Sequence, residues 1–277
     1  IQALSRLLHW NSEKKRDPRI LLTTVNAVTQ KIMPPESLKD LKFEARRGGK
    51  LDHKALQEFL ARNGYNRTDT VREPGEFAIR GSIIDLYPPG YDFPLRLDTF
   101  DEDIETLRKF DPLTQRSITE VEEFILLPAA EFEMNDESVS RFRQSYRDIF
   151  ETTGRNDPLY ESVSEKRRYN GMEHWLPLFH PRMTSVFEYV PAGQVTLDPH
   201  VLKSCEDRWS QIVDFYQARK SLETHQTSKG GALTDVSLSG SVYRPLAPEY
   251  LYLSGEEWNE KIRDHDTLQL SPFGGAE

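Results

Sequence analysis

The chain has 277 residues, 29% of them charged and 37% hydrophobic, and a formal net charge of -9 at pH 7. This length allows two domains of ordinary size, and the negative charge argues against broad, nonspecific binding to nucleic-acid phosphates. The sequence has no apolar run of membrane-spanning length, no signal-peptide pattern and a single cysteine, Cys205, which together favour a reducing, cytoplasmic location and no membrane contact.

The first 42 residues read as part of an α/β unit. Apolar residues at helical spacing predict a helix over residues 1–10, and the apolar, β-branched run at 19–25 predicts a buried strand. Asn26 is expected to cap a short helix that ends at Pro34. Because the chain starts at Ile1 within the amphipathic pattern, we expect a fragment of a longer protein.

Residues 43–127 have the pattern of a small α+β module. Asp52 is expected to cap a helix that ends near Gly64. Alternating apolar residues between turn sequences then predict a meander of antiparallel strands. With a first strand ahead of the helix, the predicted strands span residues 43–46, 70–73, 76–80, 82–87, 95–100, 104–110 and 121–127.

Residues 128–277 return to alternating helices and strands. Helices are predicted at 138–151, after Asp157-Pro158, from Asp198-Pro199 to about 222, and after Ser254, whose capping box includes Glu257. Strands are predicted at 186–190, 194–197, 249–253 and 268–270. We therefore expect an α/β domain split into residues 1–42 and 128–277, with the small module inserted between the two parts.

One predicted strand carries the signs of a binding surface. Alternation in Leu95–Phe100 places Leu95 and Leu97 on one face and Arg96, Asp98 and Phe100 on the other. An aromatic ring beside arginine on the polar face is typical of an interaction hot spot. The alternative is an ordinary solvated strand face on which Arg96 pairs with Asp98.

The familiar signatures of catalysis are absent from the sequence. Gly48-Gly49-Lys50 is followed by Leu51, so it lacks the spacing of a phosphate-binding loop, and we interpret it as a turn. The acidic residues between Asp98 and Glu105 could be imagined as a magnesium site, but a solvated turn is the favoured interpretation. We therefore expect no catalytic residue, no metal ligand and no cofactor.

The stretch GEFAIRGSIIDLYPPGYDFPLRLDTFDEDIETLRKFDPLTQRS resembles a module shared by bacterial transcription-repair coupling factors and the excinuclease protein UvrB. The flanking sequences VEEFILLPAAEF, FRQSYRDIF, EHWLPLFH and FEYVPAG are similar to the coupling factors. This resemblance implies an N-terminal fragment whose split α/β domain is a degenerate relative of a helicase domain and has no ATPase function. RNA polymerase and DNA are bound, in that family, by regions outside this chain.

The resemblance also implies a partner and its contact residues. The shared module engages the excinuclease protein UvrA, and the contacting residues of the family match Arg80 in FAIRG, Arg96 in LRLD and Phe100 in DTFD. The expected function is the recruitment of UvrA to stalled transcription sites in nucleotide-excision repair. The alternative is a fragment of an ATP-dependent helicase of the UvrB type that binds damaged DNA, which would require a phosphate-binding loop and a DNA-clamping hairpin.

Overall fold

A computed structural model of the protein describes residues 1–12, 18–38, 41–151, 157–191, 193–228 and 243–271. The chain divides into two compact units. The first unit contains Ile1–Arg6 and Glu36–Ser138, and the second contains Leu7–Pro35 and Val139–Glu277. The domain organisation expected from the sequence, with limits at 42/43 and 127/128, stays a prediction.

The first unit is built on a six-stranded sheet. The strands are β2 (Asn66–Arg67), β3 (Glu76–Arg80), β4 (Ile83–Leu86), β5 (Leu95–Phe100), β6 (Asp103–Phe110) and β7 (Ser117–Glu120). They have the order β2-β3-β4-β5-β6-β7 in the sheet, and all neighbours are antiparallel except the parallel pair β2 and β3.

One face of this sheet packs into the main core of the unit. A second antiparallel pair, β1 (Phe43–Arg46) with β8 (Glu123–Leu126), and helix α4 (His53–Arg62) contribute the other core side chains. Asp52 caps α4 by accepting a hydrogen bond from the Ala55 amide. The buried residues of this core include Leu56, Leu60, Phe77, Ile84, Leu86, Leu95, Leu97, Leu107 and Phe124.

The opposite face of the sheet holds a smaller apolar cluster. Val71, Ala78, Tyr87 and Phe110 are buried there and lie beside one another. A sheet with apolar contacts on both faces is more rigid than one that is solvated on one side, because side chains on both sides restrict its strands. The strands that carry the polar side chains of this face therefore have little freedom to move.

Three features of the first unit differ from the sequence prediction. Residues 70–73 form no strand; they lie in an irregular segment in which Val71 is fully buried. Conversely, β2 and β7 have no apolar alternation: both strands are entirely exposed, so hydrophobic patterning gave no signal for them. Their backbone pairing with β3 and β6 defines them instead.

The second unit is mainly helical. Its helices and short 3-10 turns surround one parallel pair of strands, β9 (Val195–Leu197) with β10 (Thr267–Gln269). The α-helices that lie wholly or mostly in this unit are α2 (Val25–Val28), α5 (Asp136–Phe150), α6 (Pro158–Ser164), α7 (Val201–Ser228), α8 (Pro248–Leu251) and α9 (Gly255–Arg263). Helices α1 (Gln2–Ser12) and α3 (Pro35–Leu38) each cross the limit between the units.

A buried carboxylate organises the start of α6. Oδ1 of Asp157 accepts hydrogen bonds from the amides of Leu159 and Tyr160, and Oδ2 accepts one from the Tyr146 hydroxyl at 2.5 Å. Arg244 contributes an ion pair to the same oxygen at 3.2 Å. Asp157 therefore caps the helix, as the sequence predicts, and also joins three segments of the second unit.

The predicted strand at residues 19–25 is wrong. The residues before Val25 have no regular structure, Ile20 and Leu22 are 88% and 93% exposed, and Thr24 rather than Asn26 caps the helix that follows. An apolar strand of the buried kind needs paired strands at its edges and cover on both faces. Among the described residues of the second unit, the sheet consists of the short β9–β10 pair, and residues 19–25 are not a strand of it.

Two further strand predictions in the second unit are wrong. Val186–Tyr189 is a 3-10 helix and Pro248–Leu251 is an α-helix. Both segments are short and apolar, and such runs do not distinguish strand from helix by their periodicity. The loop expected after residue 222 lies largely outside the described residues, and α7 continues to Ser228.

The chain is thus a mixed α/β protein with antiparallel and parallel strand pairs. Within the described ranges, no helix combines the length and the low polarity that crossing a bilayer requires.

Candidate partner-binding surface

The three residues singled out from the sequence share one side of the six-stranded sheet. Burial in β5 alternates, with Leu95 and Leu97 in the core and Arg96 and Phe100 on the opposite side. The ladder between β3 and β4 places Arg80 on the same side as Phe100, because Arg80 pairs with Ile83 and Ile83 pairs with Asp98. We call this side, with Arg80, Arg96, Asp98 and Phe100, the arginine face.

A buried carboxylate lies at the centre of the arginine face. Asp85 in β4 is directly opposite Arg96 in β5, and its side chain is 0% exposed. Arg96 donates from Nε to Oδ1 at 2.7 Å and from Nη2 to Oδ2 at 2.9 Å. Arg80 also donates from Nη2 to Oδ2 of the same carboxylate. The two arginines are therefore neighbours because both bind Asp85.

Arg96 is held by further contacts on its other sides. Its Cζ lies 4.5 Å from the centre of the Phe110 ring, within the range of a cation–π contact. Nη1 donates to the backbone carbonyl of Gln115 at 3.1 Å. The hydrogen bonds to Asp85 raise the pKa of Arg96 above its ordinary value, so the guanidinium stays charged. With a side chain 21% exposed, Arg96 presents one edge to solvent rather than its whole length.

Arg80 is the more accessible of the two arginines. Its side chain is 47% exposed, and besides Asp85 it contacts only the Asp69 carbonyl, through Nη1 at 3.3 Å, among the described residues. These bonds use two of the five guanidinium N–H donors. The remaining donors are available for a carboxylate outside the chain.

Phe100 lies at the far end of β5 from this cluster. It pairs with Asp103 next to a tight turn in which Asp101 adopts φ 51°, and its ring is 67% exposed. It lies four positions after Arg96, which is roughly 13 Å at the usual rise of a strand. The structure thus brings Arg80 and Arg96 into direct proximity and places Phe100 on the same face but farther along it.

Asp85 is the residue that sequence reasoning missed. The expected partner of Arg96 was Asp98, but Asp98 accepts a hydrogen bond from Ser82 at 3.1 Å, and Arg96 binds Asp85 instead. A signal was present: Asp85 is the one acidic residue in the strand IIDL. Placing Asp85 opposite Arg96 also requires the knowledge that β4 is the neighbour of β5 and the register of the pair.

The other candidate sites of the sequence have ordinary structural roles. Gly48 follows β1 with φ 70°, its amide donates to the Ile104 carbonyl, and the Gly49 carbonyl accepts from the Ile104 amide. Glu102 in the acidic turn pairs with Lys50 at 3.5 Å. Among the described residues, no group of three or more His, Cys, Asp or Glu side chains is arranged to hold a metal ion. That the chain has no cofactor stays a prediction.

Comparison with known proteins places the arginine face within a matching domain. A family model described as the UvrB interaction domain matches residues 43–132, which include all residues of the arginine face and Asp85. The transcription-repair-coupling factor of Haemophilus influenzae is 32% identical to the chain over 268 residues, which cover 96% of this chain and 22% of that protein.

Transcription-repair-coupling factors of other bacteria are also similar to this chain. The transcription-repair-coupling factor of Escherichia coli is 36% identical over 191 residues, covering 69% of this chain and 17% of that protein. The corresponding protein of Bacillus subtilis is 25% identical over 250 residues, covering 83% and 20%. The chain spans about a fifth of the length of these relatives. The similarity extends over nearly the whole chain, and the chain therefore belongs to the transcription-repair-coupling factor family, as a segment that contains a UvrB interaction domain.

Proposed function

We propose that the first unit binds the excinuclease protein UvrA through the arginine face, and that the chain thereby recruits this partner to stalled transcription sites in nucleotide-excision repair. The observation that carries the proposal is the position of Arg80, Arg96 and Phe100 on one sheet face within the region that matches the UvrB interaction domain. The names of the relatives, which couple transcription to repair, support the wider role.

The charges of the arginine face indicate the chemistry of the partner. Two guanidinium groups share the single carboxylate of Asp85, so this cluster keeps a net positive charge. A carboxylate of the partner can bind Arg80 in a bidentate manner, since planar guanidinium and carboxylate groups match in geometry. The exposed ring of Phe100 would enter an apolar hollow beside it, because burial of an aromatic ring on binding is favourable.

The rest of the chain has a supporting role in this proposal. The second unit, with its parallel pair β9–β10, would be a degenerate helicase-like domain without catalytic activity. RNA polymerase and DNA would be bound by regions of the longer protein outside this chain. The proposed location is the cytoplasm, where the single thiol of Cys205 requires no oxidising compartment.

The test is calorimetric binding of purified UvrA to the chain and its variants. Phe100→Ala and Arg80→Ala should each raise the dissociation constant about thirtyfold, which corresponds to the roughly 2 kcal/mol typical of a hot-spot residue. Lys54→Ala is the matched control: Lys54 is 87% exposed on α4, the helix that packs on the core side of the sheet.

Thermal unfolding of each variant shows whether a loss of binding reflects a loss of fold. Exposed substitutions usually change stability by no more than about 0.5 kcal/mol, so Phe100→Ala should melt with the parent. If both Phe100→Ala and Arg80→Ala bind UvrA as tightly as the parent does, the arginine face is not the binding site.

A further inference from the structure

The loop between β6 and β7 carries an exposed apolar side chain, Leu113, that is not part of the arginine face. Leu113 is 85% exposed, the largest exposure of a leucine in the first unit among the described residues. A single exposed leucine is common on protein surfaces and needs no explanation by itself. Two properties of this loop distinguish it: its backbone is fixed, and it is tied to Arg96.

The loop is fixed by a carboxylate at its start. Oδ1 of Asp111 accepts hydrogen bonds from the amide of Leu113 at 2.9 Å and from the amide of Thr114 at 2.7 Å, and the Thr114 hydroxyl binds the same oxygen. The amide of Gln115 donates to the Asp111 carbonyl at 2.8 Å. A loop with a fixed backbone has little backbone entropy left to lose when a partner covers it.

The loop is tied to the arginine face through Gln115. Its carbonyl oxygen accepts from Nη1 of Arg96, and its side-chain amide donates to the carbonyl of Val71 at 3.1 Å and that of Pro112 at 2.8 Å. Gln115 holds this position with φ 61°, in the left-handed region. Gln115 therefore keeps an unfavourable backbone conformation, and its hydrogen bonds hold the loop against Arg96.

We propose that Leu113 is a second apolar anchor of the same interface and enters a separate apolar hollow of UvrA. This inference rests on the proposed function. Leu113 follows β6 at the end of the ladder where Leu95 pairs with Lys109, whereas Phe100 lies at the other end. Roughly 17 Å of strand separate Leu95 from Phe100. The two apolar side chains thus lie on either side of the arginines, so each can bury its apolar area against the partner while the arginines bind carboxylates between them.

The partner surface implied by this geometry has three parts in a row. An apolar hollow receives Phe100, one or more carboxylates face the arginines, and a second apolar hollow receives Leu113. A leucine buried at an interface contributes less than an aromatic residue does, because its apolar area is smaller. We expect Leu113→Ala to raise the dissociation constant for UvrA about tenfold, and Leu113→Asp to raise it further.

The experiment is calorimetry with purified UvrA, with thermal unfolding recorded on each variant. The matched control is Leu202→Ala, since Leu202 is a 43% exposed leucine on α7 in the second unit. Leu113→Ala should melt with the parent, because the backbone amide that Asp111 binds is retained. Leu202→Ala should leave both the melting temperature and the binding unchanged.

The outcomes separate this inference from the function on which it rests. If Phe100→Ala weakens binding and Leu113→Ala does not, Leu113 is not an anchor and the proposed function stands. If Leu113→Ala and Leu202→Ala weaken binding equally, the effect is not specific to Leu113 and the inference fails. If neither Phe100→Ala nor Arg80→Ala affects binding, the proposed function itself fails, whatever the result for Leu113.

Discussion

Asp85 and Arg96 face each other across β4 and β5 and form a two-point ion pair, with Nε–Oδ1 at 2.7 Å and Nη2–Oδ2 at 2.9 Å. The carboxylate is completely buried beneath the guanidinium. A buried charge is tolerated only where it is paired and hydrogen-bonded. This pair therefore makes Arg96 part of the fold as well as part of the arginine face, whereas Arg80, which is half exposed, depends less on the pair.

The first prediction contrasts the two arginines in stability. Arg96→Ala removes two hydrogen bonds from a buried carboxylate, and we expect it to lower the free energy of unfolding of the first unit by about 2–3 kcal/mol. Arg80→Ala should lower it by less than about 1 kcal/mol, because Arg80 is half exposed and Asp85 keeps both of its hydrogen bonds to Arg96. Chemical denaturation followed by circular dichroism measures both. Equal effects of the two substitutions would show that Asp85 depends on Arg96 no more than on Arg80.

Strand alternation alone predicts that Arg96→Ala leaves stability unchanged, since it assigns Arg96 to an open surface. The ion pair with Asp85 reverses this expectation. Binding experiments on the arginine face are therefore better based on Arg80 and Phe100, whose removal leaves no buried charge unpaired.

The second prediction concerns the pH dependence of the β6–β7 loop. Two hydrogen bonds from Thr114, and one from the Leu113 amide, lower the pKa of Asp111 below its usual value of 3.8. Because the folded-state pKa is the lower one, the contribution of these bonds is complete above pH 3.8 and is lost as the pH falls through the lowered value. The amide resonances of Leu113 and Thr114 should shift only below the pH at which exposed aspartates titrate. A shift in step with exposed aspartates would contradict this.

The third prediction concerns the single thiol. Burial in α7, with a smaller effect of Glu206, raises the pKa of Cys205 to about 11. At pH 8 the thiolate fraction is then about a hundredfold lower than for a thiol with the ordinary value of 9, so a disulfide reagent should react more slowly with the folded chain, although by less than a hundredfold because a thiolate of higher pKa is the stronger nucleophile. The control is the same reaction in guanidinium, where the rate should become that of a free thiol. Equal rates in both conditions would contradict the burial of Cys205.

The fourth prediction concerns catalysis. The sequence has no phosphate-binding loop, and the backbone amides of Gly48 and Gly49, the groups that would bind a phosphate, already donate hydrogen bonds to the carbonyls of Ile104 and Arg46. We expect purified chain neither to bind ATP nor to hydrolyse it above a buffer blank. Turnover that co-purifies with the chain through a further column would favour the helicase of the UvrB type instead.

Much of the first unit was predictable from local rules. Asp52 caps α4, and the strands Phe43–Arg46, Glu76–Arg80 and Leu95–Phe100 have the limits that alternation predicts. In the second unit, the capping box of Ser254 with Glu257 also forms as predicted. These features depend on residues that are close in sequence, so their signals are present in the chain itself.

The sequence by itself determined that Arg96 and Phe100 share a face opposite Leu95 and Leu97, because side-chain direction alternates along any strand. Only the tertiary structure decided which carboxylate binds Arg96. That choice depends on β4 being the neighbour of β5 in the register Asp85↔Arg96, a contact between residues 11 apart in sequence. Likewise, the apolar run at 19–25 has the composition of a strand but is not one, since a strand requires a hydrogen-bonding neighbour and composition does not supply it.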